Sequence, residues 1–159
     1  MARRHALALG IALAAACLVA GRTPARAEEI TERVAVDPVS GIAIFGYDPI
    51  GYFLEGRPVA GRTEFEFRWQ NAVWRFASKA NLEEFSRAPD VFAPAYGGYD
   101  ADAVSRGVAA MPDPTIFLLV DDRLFLFRTT EARRRFVEDE NAVVVADDAW
   151  PKLAATLRP

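Results

Sequence analysis

The sequence predicts an α+β fold, a small antiparallel β-sheet of two hairpins packed by three or four helices. Three observations carry that expectation. Thr63 to Trp69 alternates, with Phe65, Phe67 and Trp69 on one side and Glu64, Glu66 and Arg68 on the other, the period-two pattern of a half-buried strand. Ile116 to Val120 and Leu124 to Phe127 are almost continuously apolar around an Asp121-Asp122 turn, as expected of strands covered on both faces. Ser78, and Thr129 or Thr130, stand where a side-chain oxygen can cap a helix directly after each hairpin.

Along the chain, the first 27 residues have the pattern of an export signal. Arg3 and Arg4 precede an apolar run from Ala6 to Ala20, about 15 residues against the roughly 20 a membrane-spanning helix needs. Ala25-Arg26-Ala27 places small residues where a signal peptidase reads, predicting a cut after Ala27 and a periplasmic or secreted protein. No stable membrane span is expected once that segment is removed. Arg3-Arg4 has little of the flanking pattern of a twin-arginine signal. Cys17 lacks the spacing of a lipidated cysteine, because Leu18-Val19 continues the apolar run.

The remaining 132 residues suffice for one core, divided into a loose lead-in over 28–40 and one domain over 41–159. They hold 15 basic and 22 acidic side chains, a net charge of −7, which makes nucleic acid an improbable partner. Ile42 to Phe45 reads as a short strand ending at Gly46. Gln70-Asn71 turns the first hairpin into Val73 to Phe76. A helix follows from Ser78 to about Ala88, stopped by Pro89. After the second hairpin come a helix to about Glu140 and another from Ala142 to Ala149, with Trp150-Pro151 opening a final turn. No internal repeat is visible.

His5 is the only histidine and Cys17 the only cysteine, so the exported chain would have no thiol nucleophile, imidazole base, disulfide or Cys/His metal cage. Ser78, Ser86 and Ser105 have no histidine to activate them. No catalytic residue is assigned and no cofactor is expected. Two loops are dense in aromatic residues, proline and glycine. Tyr47-Asp48-Pro49 with Tyr52 is one; Tyr96-Gly97-Gly98-Tyr99-Asp100 is the other. Tyr47, Asp48, Tyr52, Tyr96, Gly97, Gly98, Tyr99 and Asp100 are therefore the candidate ligand pocket, against the alternative that both loops are rigid architecture. Asp100 and Asp102 are weak candidates for a hard cation, without a calcium-loop spacing around them. Asp147-Asp148 reads as a solvated helix face.

At these loops the chain resembles a known family. Gly46-Tyr47-Asp48-Pro49-Ile50-Gly51-Tyr52-Phe53, Trp74-Arg75-Phe76-Ala77-Ser78, Tyr96-Gly97-Gly98-Tyr99 and Ala103-Val104-Ser105-Arg106-Gly107 look like the exported, single-domain branch of the YHS domain family. That resemblance implies a β-hairpin-plus-helix module, similar to cysteine-rich metal-binding domains of metal-handling ATPases and sensors. Where those relatives carry thiolates this chain has Ala77, Asn81 and Gly51, and Asp100 follows the second tyrosine where cysteine is usual. The expected function is thus a non-catalytic exported binding module for an unknown small ligand or periplasmic protein, its soft metal ligands lost. The alternative is a metal-handling or redox accessory protein that uses oxygen ligands or a site shared with a partner.

Overall fold

The computed structural model describes residues 32–158, and the fold is α+β. In chain order its elements are α1 (Pro49–Glu55), β1 (Arg62–Trp69), β2 (Ala72–Phe76), α2 (Lys79–Arg87), α3 (Pro89–Phe92), α4 (Ala101–Ser105), β3 (Asp113–Val120), β4 (Arg123–Phe127), α5 (Thr130–Glu138) and α6 (Ala142–Ala154). The expected export signal and its cleavage point, with His5 and Cys17, lie outside the described residues. No helix among the described residues is long and apolar enough to cross a membrane.

Both expected hairpins form, each as its own two-stranded antiparallel sheet. Gln70-Asn71 and Asp121-Asp122 turn them with positive φ at all four residues, 47°, 62°, 50° and 56°. That is the left-handed geometry whose twist matches two paired strands. Ser78 Oγ accepts from the Asn81 N–H and Thr129 Oγ1 from the Ala132 N–H, capping α2 and α5 as expected. The short helices α1, α3 and α4 were not expected, because no apolar periodicity marks elements of 4 to 7 residues.

The same plan occurs twice. A helix capped by an aspartate, a hairpin and a second capped helix make each half. Tyr47-Asp48 corresponds to Tyr99-Asp100, Phe76 to Phe127, Ser78 to Thr129 and Phe85 to Phe136, 51 or 52 positions on. The irregularities coincide as well. Register shifts fall between Arg62 and Glu66 and again between Asp113 and Phe117. The Asp48 N–H donates to Val59 and the Asp100 N–H to Ala110. This corrects the expectation of no internal repeat. The halves agree where the backbone needs a particular partner or φ, while most other positions carry unrelated side chains.

The expected strand at Ile42 to Phe45 is also corrected. Isolated bridges hold Ile42 to Val73 and Ala43 to Val36, and Ile44–Gly46 then forms a left-handed turn with φ of 40°, 58° and 81°. Tyr96–Gly98 repeats that turn at 57°, 63° and 86°. A β-branched residue rarely adopts this conformation. Ile44 is held there by complete burial and by its N–H donating to Ala35.

Residues 32–37 are not a loose lead-in, for Val34 and Ala35 are buried and tie the halves together. The Ala35 N–H donates to Gly97 in the second half, its carbonyl accepts from Ile44 in the first, and the Arg33 N–H donates to Arg158. Gly97 has no alternative here, since a Cβ at that position would stand 1.9 Å from the Arg33 carbonyl oxygen.

The core has two aromatic clusters with β4 between them. Leu124 and Leu126 join Ile50, Tyr52, Trp74, Phe76 and Phe85, while Phe125 and Phe127 join Tyr96, Tyr99, Phe136 and Ala146. Burial of four successive residues of β4 is the expected both-faces arrangement, but its partner β3 departs from it, half-buried from Ile116 to Leu119 and exposed at Val120. α6 runs through Pro151 without stopping, against the expected break at Trp150. Interior proline costs a helix about 3 kcal/mol. Burial of Ala142 and Ala146, with Trp150 stacked on Tyr96 and Tyr99, holds α6 across it.

Candidate functional site

Asp48 caps α1 and is wholly buried. Its Oδ1 accepts from the Ile50 N–H at 2.9 Å, and its Oδ2 from the Ala77 N–H at 2.8 Å and the Asn81 side-chain amide at 2.6 Å. Asp100 does the same work in the second half, taking the N–H groups of Asp102, Ala103 and Arg128. Both carboxylates therefore join a helix N-terminus to the end of the following hairpin. Two of the positions where the resemblance places thiolates, Ala77 and Asn81, bond Asp48. A hydrogen-bonded plug occupies that junction.

Asp102 has a carboxylate 8% exposed, gripped by Arg135 at 2.6 Å and Arg106 at 2.7 Å. Burial pushes its pKa up, and the two guanidiniums overcome that and hold it below the ordinary value. Among the described residues no three His, Cys, Asp or Glu side chains come together in a way that could hold a metal ion.

Of the tyrosines, Tyr52 is buried and donates its hydroxyl proton to the Pro114 carbonyl. Tyr99 donates to the Glu32 carbonyl, and burial pushes its pKa up to about 12. Tyr47 is half-buried beside Ala60, which it pairs through one antiparallel bridge. Tyr96 differs from these three. Its hydroxyl donates to Asp147 at 2.8 Å, its ring stacks near Phe125 and Trp150, and burial raises its pKa. The serines are likewise engaged in local structure: Ser78 caps α2, while Ser86 and Ser105 donate to carbonyls three residues back.

Tyr96 and Gly97 line a cleft of about 890 Å³, open to solvent at the seam between the halves. Tyr47, Asp48, Tyr52, Gly98, Tyr99 and Asp100 are not among its lining residues. The loop residues thus divide between this seam and the interior. From the first half the cleft takes Trp69 and Trp74; from the second, Arg123 and Trp150; Arg33 comes from the segment stitching them. All three tryptophans of the chain lie here. Trp74 is the floor, fully buried with its indole N–H donating to the Trp69 carbonyl. Trp69 and Trp150 are half-buried walls. Arg123 stacks over Phe125 at 4.9 Å and makes a two-point pair with Asp147, which lies on the exposed helix face expected of it, its side chain 45% exposed. That pairing holds the Asp147 carboxyl below its ordinary range.

Sequence reasoning missed Trp69, Trp74 and Trp150 as site residues because each also fits a strand face or a helix end. Their being the complete tryptophan set of the chain was the available signal. Chemically the cleft offers aromatic walls and planar polar groups, and neither a nucleophile with a base nor a cluster of soft donors. No family model, curated protein or solved structure matches this chain.

Proposed function

We propose that the chain is an exported, non-catalytic binding module of YHS type that takes a small ligand in the cleft between its halves. The observation that carries this is the convergence of Trp69, Trp74, Tyr96 and Trp150 on one open cavity. Its volume falls in the range of ligand sites, about 300–1,000 Å³. Support for the loss of metal binding comes from the Asp48–Asn81 hydrogen bond at the junction where relatives would bring thiolates together. The oxygen-ligand alternative draws no support from Asp100 or Asp102, whose carboxylates are committed to backbone N–H groups and arginines.

The test is a metal analysis of purified protein after dialysis, followed by a thermal-shift screen against metal salts and periplasmic metabolites. The expected result is no stoichiometric metal and a stabilising metabolite whose effect disappears in Trp150→Ala. Copper, zinc or iron retained at one per chain would overturn the proposal. N-terminal sequencing of the exported protein is expected to begin at Glu28.

A further inference from the structure

The polar groups around the tryptophans narrow the ligand class. Arg33 donates its Nε–H to the Ala154 carbonyl at 3.2 Å and has no carboxylate partner among the described residues. Asp90, near the start of α3, and Gln70, at the hairpin tip, also line the cleft, with no side-chain hydrogen bond among the described residues. The indole N–H groups of Trp69 and Trp150 are likewise without a partner among the described residues, and neither is a buried unsatisfied group.

These wall groups both donate and accept. One cation and one anion offset each other, and Arg123 is neutralised by Asp147. A strongly charged ligand therefore finds no matching field. Hydroxyls, which donate and accept at one atom, match the whole set. The half-buried indoles favour a ligand with an apolar face. A cavity of about 890 Å³ is too large for a single small solute and suits about two or three sugar rings. A peptide that binds by adding a strand would need an edge to pair with. Here the first hairpin meets the cleft at its tip, where Gln70 and Asn71 have positive φ and end the ladder.

Resting on the cleft reading above, we infer that the site binds a short, uncharged oligosaccharide. Sugar rings lie against Trp69 and Trp150, and hydroxyls meet Arg33, Gln70 and Asp90.

Tryptophan fluorescence and calorimetric titration of the purified protein with maltotriose, cellotriose, xylotriose and chitotriose test this directly. At least one trisaccharide is expected to give a saturable change, with glucose at least tenfold weaker. Trp150→Ala should lose at least tenfold in affinity. Gln70→Ala, at an exposed turn where folding is not at stake, should lose about threefold. Absence of saturable binding by every trisaccharide overturns the sugar inference. The same titrations with tripeptides and aromatic carboxylates separate the two ideas. Binding there that falls tenfold in Trp150→Ala refutes the sugar class and keeps the cleft. Binding by no compound, or binding indifferent to both variants, overturns the cleft as well.

Discussion

In the first half, β2 buries alternate residues, Ala72, Trp74 and Phe76; in the second, β4 buries Leu124 to Phe127 without interruption. The strands occupy equivalent places in a duplicated plan, so the difference comes from where each half sits. β2 has one cluster on one side, whereas β4 is the wall shared by both. The junctions differ too. Asn81 donates to Asp48, but Ala132 at the equivalent place gives Asp100 nothing, and Ile50 in α1 corresponds to the arginine-bound Asp102 in α4. Backbone needs are thus kept in both halves, while side chains facing the surroundings have diverged. The cleft lies at the seam, lined by Trp69 from the first half and Trp150 from the second.

The largest effects should come from the paired aromatic anchors. Phe85 is wholly buried against Phe67, Trp69, Trp74 and Phe76; Phe136 is 4% exposed and packs edge-on against Phe127 and tilted against Phe125. Phe85→Ala is expected to cost about 4–5 kcal/mol and Phe136→Ala about 3 kcal/mol, by urea denaturation. Each variant should still unfold in a single transition, because β4 belongs to both clusters. Two separated transitions would mean that the halves are independent units.

The aspartate junctions come next. Asn in place of Asp48 keeps one acceptor but turns an NH₂ group toward the Ala77 N–H and the Asn81 amide, donor against donor. Asp48→Asn should cost about 2–3 kcal/mol and Asp100→Asn about 1–2 kcal/mol. Adding Asn81→Ala to Asp48→Asn relieves one clash, so the double variant should lose less than the sum of the singles. Equal losses for the two aspartates would erase the distinction between the junctions.

How legible the molecule was follows the same line. Hairpins and capped helices declared themselves, since alternation, apolar runs and Ser or Thr before a helix are local signals. The repeat did not. Tyr47-Asp48 and Tyr99-Asp100 are visible as a pair only once both are seen capping a helix and bonding a hairpin end. The left-handed turn at Ile44 ran against its own residue type, and tertiary burial decided it. The loop aspartates looked like ligands because the sequence shows the type of a carboxylate but not the N–H groups that satisfy it. Tyr96 and Gly97 lie at the cleft, whereas Trp69 and Trp150 meet there only by folding across 81 positions of sequence.

A smaller, pH-dependent effect should separate the halves. Asp102 and Asp147 have folded pKa values below their unfolded value of 3.8, the first through Arg135 and Arg106 against the effect of burial, the second through Arg123. A depressed carboxylate pKa stabilises the fold above the unfolded value and loses that contribution as pH falls through the folded one. Both residues belong to the second half or the helix packed on it. Hydrogen exchange below pH 3.8 should therefore show β3, β4 and α4 losing protection before β1 and β2. Asp102→Asn should remove part of that acid sensitivity while lowering stability at pH 7 by less than Asp100→Asn does. Simultaneous loss in both halves would show that acid acts on the shared core instead.

The smallest effects belong to the hairpin tips. A two-residue turn of this hand favours glycine at its second position, where positive φ is free of Cβ strain. Asn71 and Asp122 hold φ of 62° and 56° there. Asn tolerates the conformation well and Asn71 has a partner of its own, so Asn71→Gly should destabilise by about 0.5–1 kcal/mol, the lost interaction adding to the greater freedom of the unfolded chain. Asp122→Gly also removes a carboxylate next in sequence to that of Asp121, both residues being exposed at the turn. It should therefore stabilise by about 0.5 kcal/mol, with the gain shrinking as salt screens the repulsion. A thermal melt of the pair at low and high salt checks both points. If Asp122→Gly destabilises at either salt concentration, the carboxylate holds its turn as Asn71 holds the other. The two tips would then stand apart from the strands and junctions, as a place where the halves have stayed alike.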